Sequence, residues 1–254
     1  MNIPFIKYYK VWLSIASATV VICALSLAVY GLKPGIDFTG GTLIEYSFSK
    51  HRPSVEELER VYTESSNVSE VFIQKTGDRN VIVRSSFLNE DNHKKVLEAL
   101  KKSFGADSNE VREEQVEAVG AVVSQQLRSK AIWAIILVNV SIVAYLAYAF
   151  RKVARPVASW KYGLMAIAAL VHDVLLVLGV FALLGHYRGV EVDIAFVVAV
   201  LTVLGYSVND TIVVYDRIRE NILHHSAGTF AEVVNRGLNE TLMRSLNTTF
   251  TVLL

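Results

Sequence analysis

The apolar residues of this chain collect in blocks of about 20, the length of a helix that crosses a hydrocarbon core of ~30 Å. Each block therefore predicts a membrane-spanning helix. A fifth block begins near Leu242 and the sequence ends within it at Leu254, which predicts a truncated fifth helix. The complete blocks run from about Val11 to Tyr30, Ala131 to Phe150, Gly163 to Leu184 and Ile194 to Val214.

The first block follows Lys7 and Lys10, a charge arrangement that cleavable signal peptides share. The apolar core of a signal peptide usually has about 7–15 residues and ends in small residues. This block is longer, and Gly31-Leu32-Lys33-Pro34 after it is a poor cleavage site. We therefore expect a retained helix.

Basic residues mark the cytoplasmic side, because cytoplasmic loops collect Lys and Arg. They precede the first block and follow the second and fourth, whereas the segment from His186 to Asp193 carries one Arg and two acids. This distribution predicts a cytoplasmic N-terminus and an external polar domain. The basic residues are Lys7, Lys10, Arg151, Lys152, Arg155, Lys161, Arg217, Arg219, Arg236 and Arg244.

The polar segment between the first two blocks alternates between strand and helix patterns. The order strand, helix, strand, strand, helix, strand predicts a ferredoxin-like α+β domain. Ser54 is the expected N-cap of the first helix and Gly77-Asp78 the hairpin turn. The predicted elements are Thr42 to Phe48, Pro53 to Glu64, Val68 to Lys75, Asn80 to Phe87, Asp91 to Phe104 (ended by Gly105) and Glu110 to Val116.

The chain is thus predicted to be a polytopic α-helical membrane protein with an inserted domain. Residues 1–31 form the cytoplasmic N-terminus and helix 1, and residues 32–128 form the extracytoplasmic α+β domain. Residues 129–254 contain helices 2–4, a cytoplasmic loop and the start of helix 5.

Composition excludes several classes of function. The 25 Lys+Arg nearly balance the 24 Asp+Glu, so the basic excess typical of a nucleic-acid partner is missing. Cys23 is the single cysteine and cannot form an intrachain disulfide. The sequence has no Walker A, GxSxG or HExxH motif. We therefore predict no catalytic residue, metal or cofactor, and expect a protein that is not an enzyme.

Asp210 is the main candidate for chemistry, because an ionisable residue within a span is costly and normally faces the bundle interior. It lies six residues before Asp216, or roughly 9 Å into the bilayer. Thr202, Tyr206 and Asn209 follow the same helical face. Asp210 could take and release a proton, bind neighbouring helices through hydrogen bonds, or form a fixed salt bridge.

Arg244, at the start of the fifth block, is the natural counter-charge, although it could equally be a cytoplasmic flank of that span. Asn247 and Thr248 could line the same polar seam or simply pack between helices. His172 and Asp173, within the third block, could join a proton relay, but a structural hydrogen bond is favoured. His224-His225 and the sequon Asn67-Val68-Ser69 are weak candidates for a metal site and for glycosylation.

Three segments, in this order, resemble the SecF branch of the SecD/SecF family, in the RND (resistance-nodulation-division) superfamily. His172-Asp173-Val174-Leu175 also matches. Gly40-Gly41 of the first segment is predicted to shape the turn into the first strand. The segments are Gly35 to Thr42, Gly205 to Glu220 and Asn239 to Thr248.

The resemblance implies an RND-type half bundle in the bacterial cytoplasmic (inner) membrane. It implies SecD as a partner in a separate chain, the Sec channel SecYEG, and a SecA-driven preprotein moved with the proton motive force. Asp210 falls on the family's intramembrane aspartate in the fourth span, and Arg244 on its essential arginine at the fifth, which favours the proton role. The alternative is half of a proton-coupled exporter of small molecules or lipids. The supporting polar seam is Tyr206, Asn209, Asn247 and Thr248, and the candidate relay is His172 and Asp173.

Overall fold

The computed structural model describes residues 3–66, 68, 71–105, 109–149, 159–224 and 228–253. The chain divides into two compact units, an inserted unit of Pro34–Ile132 and a helical unit made of the flanking segments.

Long helices dominate the helical unit. Among the described residues, four are long and apolar enough to span a membrane, and each overlaps one of the four complete blocks of the sequence. The second begins ten residues before the predicted block, at Ala121 rather than Ala131. These spans are Ile6–Tyr30, Ala121–Tyr145, Gly163–Arg188 and Ile194–Leu223. The helices are α1 (Tyr9–Tyr30), α5 (Ala121–Ala149), α6 (Ser159–Arg188), α7 (Ile194–His224) and α8 (Phe230–Leu253).

The helix ends differ from the sequence prediction. Helix α7 continues through Arg217 and Arg219, and α8 begins at Phe230, well before Leu242, so much of the predicted cytoplasmic loop is helical. Ion pairs one turn apart support this extension, with N–O distances of 2.6 Å for Arg217–Glu220 and 4.0 Å for Arg219–Asp216. Arg236 and Arg244 likewise lie on α8, whereas Arg151, Lys152 and Arg155 lie outside the described residues.

Helices α1 and α6 are in close backbone contact at Gly179. A Cβ added there would lie 2.3 Å from the Cβ of Cys23 and 2.5 Å from its Cα. The Ser26 hydroxyl donates a hydrogen bond to the Gly179 carbonyl oxygen at 3.0 Å. Small residues permit this approach, which is a principal means by which helices associate in membranes.

Helix α7 packs between α6 and α8. Leu204 and Val200 of α7 form a buried cluster with Leu170 of α6, and Ile142 of α5 packs against it. On the other side, Gly237 of α8 lies against α7, where an added Cβ would be 2.8 Å from Cγ1 of Ile218. The position of α7 is therefore fixed by contacts on two sides.

The inserted unit contains an antiparallel sheet in the order β2-β3-β1-β4. The order of elements along the chain is the predicted one, preceded by a short helix, α2. The turn between β2 and β3 contains Gly77 at φ 56°, as expected for a tight hairpin. The elements are α2 (Ile36–Thr39), β1 (Gly41–Phe48), α3 (Val55–Ser66), β2 (Val71–Thr76), β3 (Asn80–Ser85), α4 (Glu90–Phe104) and β4 (Val111–Val119).

The core of this unit lies between one face of the sheet and the helices α3 and α4. Alternate residues of β1 and β3 point into it, as the pleat of a strand requires. The rings of Tyr46 and Tyr62 meet edge to face with centroids 6.5 Å apart, and burial raises the pKa of both phenols. The fully buried members include Ile44, Tyr46, Phe48, Leu58, Tyr62, Val81, Val83, Val96 and Leu100.

The predicted role of Gly40-Gly41 in the turn is confirmed. Both glycines have positive φ, 75° and 133°. A Cβ at Gly41 would lie 2.5 Å from the carbonyl oxygen of Ser85, so no other residue fits there without backbone movement.

Ser54 caps α3 as predicted. Its hydroxyl accepts a hydrogen bond from the Glu57 N–H at 3.2 Å, and the Glu57 carboxylate accepts from the Ser54 N–H at 3.0 Å. This reciprocal pair is a capping box. The two hydrogen bonds that Ser54 donates hold the pKa of Glu57 below its usual range.

We expect Ser54→Ala to lower the stability of the protein by about 1 kcal/mol, the usual value of a lost N-cap. Because the pKa of Glu57 is lowered in the folded state, its bonds contribute above the unfolded pKa and are lost as the pH falls through the folded pKa. Thermal unfolding should therefore show a larger deficit at pH 7 than at pH 3. An equal deficit at both values would contradict the capping box.

Candidate functional site

The polar segment of α7 begins beside the residues that hold this helix against α6. Leu204 is fully buried in that contact. Tyr206 and Asn209 are exposed, with Tyr206 at 41%. These two members of the predicted seam lie at the surface of the helical unit.

Asp210 lies on the side of α7 that packs against α8, and its side chain is partly buried. The Ser245 side chain of α8 lies within hydrogen-bonding reach of the Asp210 carboxylate. Arg244 is near enough to act on that carboxylate through its charge. Among the described residues the two charges form no direct ion pair, and Arg244 is exposed.

This arrangement can respond to a change of charge on Asp210. A hydroxyl neighbour can hydrogen-bond a carboxyl group in either protonation state. A cation at longer range attracts only the ionised form. Protonation would therefore weaken the attraction between α7 and α8 without leaving Asp210 unpartnered.

A second polar group joins α6 to α7 one turn away from Asp210. Nδ1 of His172 lies 2.8 Å from Oδ1 of Asp173, and the Ser207 hydroxyl donates to Oδ2 of Asp173 at 2.5 Å. The structural hydrogen bond that the sequence favoured for His172 and Asp173 is thus present. It forms even though successive residues of a helix point about 100° apart. Sequence reasoning missed Ser207, although it lies one turn before Asp210 and within the second resemblance segment.

The remaining α8 candidates lie after Arg244. The Thr248 hydroxyl donates to the Arg244 carbonyl oxygen at 3.0 Å, so its own helix uses it. Asn247 is exposed, and its carbonyl oxygen accepts from the Thr251 hydroxyl at 2.8 Å. The structure brings Asp210 together with Arg244 and Ser245, but gives Asn247 and Thr248 local contacts within α8.

A charged network that sequence reasoning missed joins the ends of α7 and α8. Nε of Arg217 donates to Glu240 at 2.7 Å, and the buried Asn221 side chain donates to the same carboxylate oxygen at 2.8 Å. Glu240 lies within the third resemblance segment, and nothing else in the sequence marked it as a candidate. The network holds α8 against α7 four residues before Arg244.

The histidine pair and the sequon lie at gaps in the described part of the chain. His225, Asn67 and Ser69 lie outside the described residues, as does the side chain of His224. Across the described part of the chain, no three metal-ligating side chains lie close enough together to hold an ion.

Two models of known protein families match separate parts of the chain. "Protein export membrane protein SecD/SecF, C-terminal" matches residues 98–254, and "SecD/SecF GG Motif" matches residues 25–50. The second match contains Gly40-Gly41.

Similar proteins carry the same family name. The protein translocase subunit SecF of Thermobaculum terrenum is 41% identical over 89% of this chain and 73% of its own length. That of Anaerolinea thermophila is 33% identical, covering 92% and 74%, and that of Synechocystis is 32% identical, covering 99% and 80%.

Two solved structures of SecDF are similar to this chain over almost its whole length. The crystal structure of SecDF, a translocon-associated membrane protein from Thermus thermophilus, matches 99% of this chain with a TM-score of 0.79 and 29% identity. A SecDF structure in the super-membrane-facing form gives a TM-score of 0.60. This chain spans 32% of the first SecDF chain and 33% of the second.

A family match over more than half of the chain, relatives above 30% identity and apolar helices of spanning length all agree. The chain is a membrane protein that belongs to the SecD/SecF family of protein-export membrane proteins.

Proposed function

We propose that this chain is a SecF subunit of the Sec protein translocase. Together with a SecD half it uses the proton motive force to promote late steps of protein export. The observation that carries the proposal is the Asp210 carboxylate, held within an apolar helix beside Ser245 and under the influence of Arg244. An ionisable group in such a place is a functional candidate by default.

In this mechanism Asp210 alternates between a neutral and an ionised state as protons cross the membrane. The ionised state attracts Arg244 and draws α8 toward α7, and the neutral state releases it. A two-state helix arrangement that responds to one charge is a general way to convert proton movement into motion. The Asp173–Ser207 bond keeps α6 and α7 together while α8 moves.

The inserted unit is the proposed extracytoplasmic domain, and the N-terminus is proposed to be cytoplasmic in the inner membrane. The sheet order β2-β3-β1-β4 with two helices packed on one face supports a ferredoxin-like assignment. The proposed partners are SecD, the channel SecYEG with the preprotein that SecA delivers, and membrane lipid. We assign the chain no catalytic chemistry of its own. The alternative of a small-molecule or lipid exporter gains no support from relatives named as SecF.

The test of this proposal is export of a preprotein into inverted membrane vesicles, with and without a proton gradient. Arg244→Ala should lose most of the gradient-stimulated rate, because the ionised state then has no cation to attract. Arg244→Lys keeps the charge and should retain a larger share. Equal export by the wild type with and without the gradient would contradict the proposed function.

A double-mutant cycle then tests the couple between Asp210 and Arg244. Thermal stability in detergent is measured for Asp210→Asn, Arg244→Ala and the double variant. Groups that interact give non-additive changes of about 0.5 kcal/mol or more. Strictly additive changes would argue against the couple.

A further inference from the structure

The N-terminal segment Ile3–Tyr8, here called the N-terminal strap, is hydrogen-bonded to α8 through two asparagine side chains. The Ile3 N–H donates to Oδ1 of Asn239 at 2.7 Å, and Nδ2 of Asn239 donates to the Ile3 carbonyl oxygen at 2.9 Å. The Ile6 N–H donates to Oδ1 of Asn235 at 3.2 Å. The Asn239 amide thus bonds both the N–H and the carbonyl oxygen of Ile3, in the way that a residue of a neighbouring strand would.

These directional bonds fix the register of the strap on α8. An open cleft of about 780 Å³ separates much of the strap from the helix, lined among others by Pro4, Lys7 and Arg236. Asn239 also donates to the Asn235 carbonyl oxygen at 2.8 Å, which orients its amide. Hydrogen bonds are directional, so sliding α8 by one residue would break this pairing.

The strap is continuous with a firmly held part of the unit. It leads directly into α1, and α1 is in backbone contact with α6 at Gly179. Helix α6 in turn holds α7 through the Asp173–Ser207 bond. The N-terminal strap therefore connects α8 to the helices that carry the rest of the site, by a route separate from the direct α7–α8 contact.

Asn239 lies five residues before Arg244 on the same helix, or about 7.5 Å along its axis. A rigid helix transmits any displacement at Asn239 to Arg244 and Ser245. The end of α8 on which the strap acts is therefore close enough to set where the cation and the hydroxyl lie relative to Asp210.

We propose that Asn239, supported by Asn235, is a positioning residue: through the N-terminal strap it sets the axial position of α8, and so the placement of Arg244 and Ser245 against Asp210. This inference rests on the proposed function of Asp210. Asn239 acts through Arg244 and touches no proton itself. It gives a role to the first residue of the third resemblance segment, which the proposed function leaves without one.

Two variants break the same contact from opposite sides. Asn239→Ala removes the amide, and Ile3→Pro removes the backbone N–H that donates to it while keeping Asn239. Asn239→Asp keeps the acceptor for Ile3 N–H but loses the donor, so its effects should be intermediate. Met243→Leu, at a position of the same helix that is 64% exposed, is the matched control.

The first readout is hydrogen–deuterium exchange of residues 239–249 in the purified complex with its SecD partner. Both strap variants should raise exchange in this segment, and the control should not. Unchanged exchange in Asn239→Ala and Ile3→Pro would overturn the claim that the strap holds α8 in place. This readout does not depend on whether export uses protons.

The second readout is the pH dependence of gradient-driven export. Arg244 and Ser245 of α8 act on Asp210. On the α6 side of α7, the titratable groups at the helix contact are His172 and Asp173, which meet α7 at Ser207. A displaced Arg244 should move the pH midpoint by about half a unit or more. The rate at the wild-type optimum should fall about tenfold, because a small displacement of a group from its working position has a large effect on rate.

The outcomes are separable. Raised exchange with a shifted midpoint, and no further loss in the Ile3→Pro/Asn239→Ala double variant, supports the inference. Raised exchange with an unshifted midpoint would overturn the positioning role and leave a purely structural strap. A wild type without gradient stimulation would overturn the proposed function, and the exchange result would still decide whether the strap exists.

Discussion

Replacing Asp210 by asparagine is expected to abolish gradient-stimulated protein export while leaving membrane insertion and partner binding intact. Asparagine has nearly the same shape and can still accept a hydrogen bond from Ser245, so the contact between α7 and α8 should persist. It cannot take up or release a proton. Export should therefore fall to the rate measured without a gradient.

Insertion itself should not suffer from this change. An aspartate within a span costs about 2.5–3.5 kcal/mol near the bilayer centre, so removing its charge makes the helix easier to insert. Co-purification of the partner measures binding, and vesicle export measures activity. Asp210→Glu keeps an ionisable group and should retain part of the stimulation.

Asp216→Asn is the matched control for charge. It lies further along the same helix with its side chain 72% exposed, and its ion pair with Arg219 has an N–O distance of 4.0 Å. Its replacement should leave the stimulated rate near the wild-type value. If Asp210→Asn exported at the normal rate, the proton mechanism would have to be abandoned.

Gly179→Ala is expected to be strongly destabilising, although the substitution adds a single methyl group. The new Cβ would lie 2.3 Å from the Cβ of Cys23, 2.5 Å from its Cα and 2.6 Å from its carbonyl oxygen. Two of these atoms belong to backbone, so a side-chain rotation cannot relieve the clash. The helices α1 and α6 must separate, which also breaks the Ser26 hydrogen bond.

We expect a loss of about 3 kcal/mol, at the upper end for overpacking. For a protein of this size that corresponds to a fall in Tm of roughly 6–12 °C, measurable by thermal unfolding in detergent. Gly163→Ala is the control on the same helix, because a Cβ there meets no atom within 4 Å. It should be neutral or slightly stabilising, since Ala favours helix more than Gly does. Equal Tm values for the two variants would contradict the tight contact.

Sequence patterns were sufficient for features that depend on neighbouring residues. The apolar blocks predicted the four described helices of spanning length, because a membrane requires about 20 apolar residues in a row. Ser54 and Gly40-Gly41 were found because a helix cap and a positive φ favour few residue types. Asp210 could be singled out because an acid in an apolar run is rare.

Features that depend on tertiary contact could not be predicted in the same way. Ser207 is an ordinary residue in a membrane helix, and only the packing of α6 against α7 makes it a partner of Asp173. Asn239 and Ile3 are separated by almost the whole chain. The end of α7 was misjudged because charged residues suggested a loop, whereas Arg217 and Glu220 form a pair along the helix.

The hairpin between β2 and β3 offers a practical handle for observing this protein at work. Gly77 at its tip is exposed, and a Cβ there would meet no atom within 4 Å. Exposed turns of this kind tolerate insertions. A fluorophore or short epitope placed there would report on the inserted unit during export, whereas a tag fused to the N-terminus would be attached to the backbone that Asn239 binds.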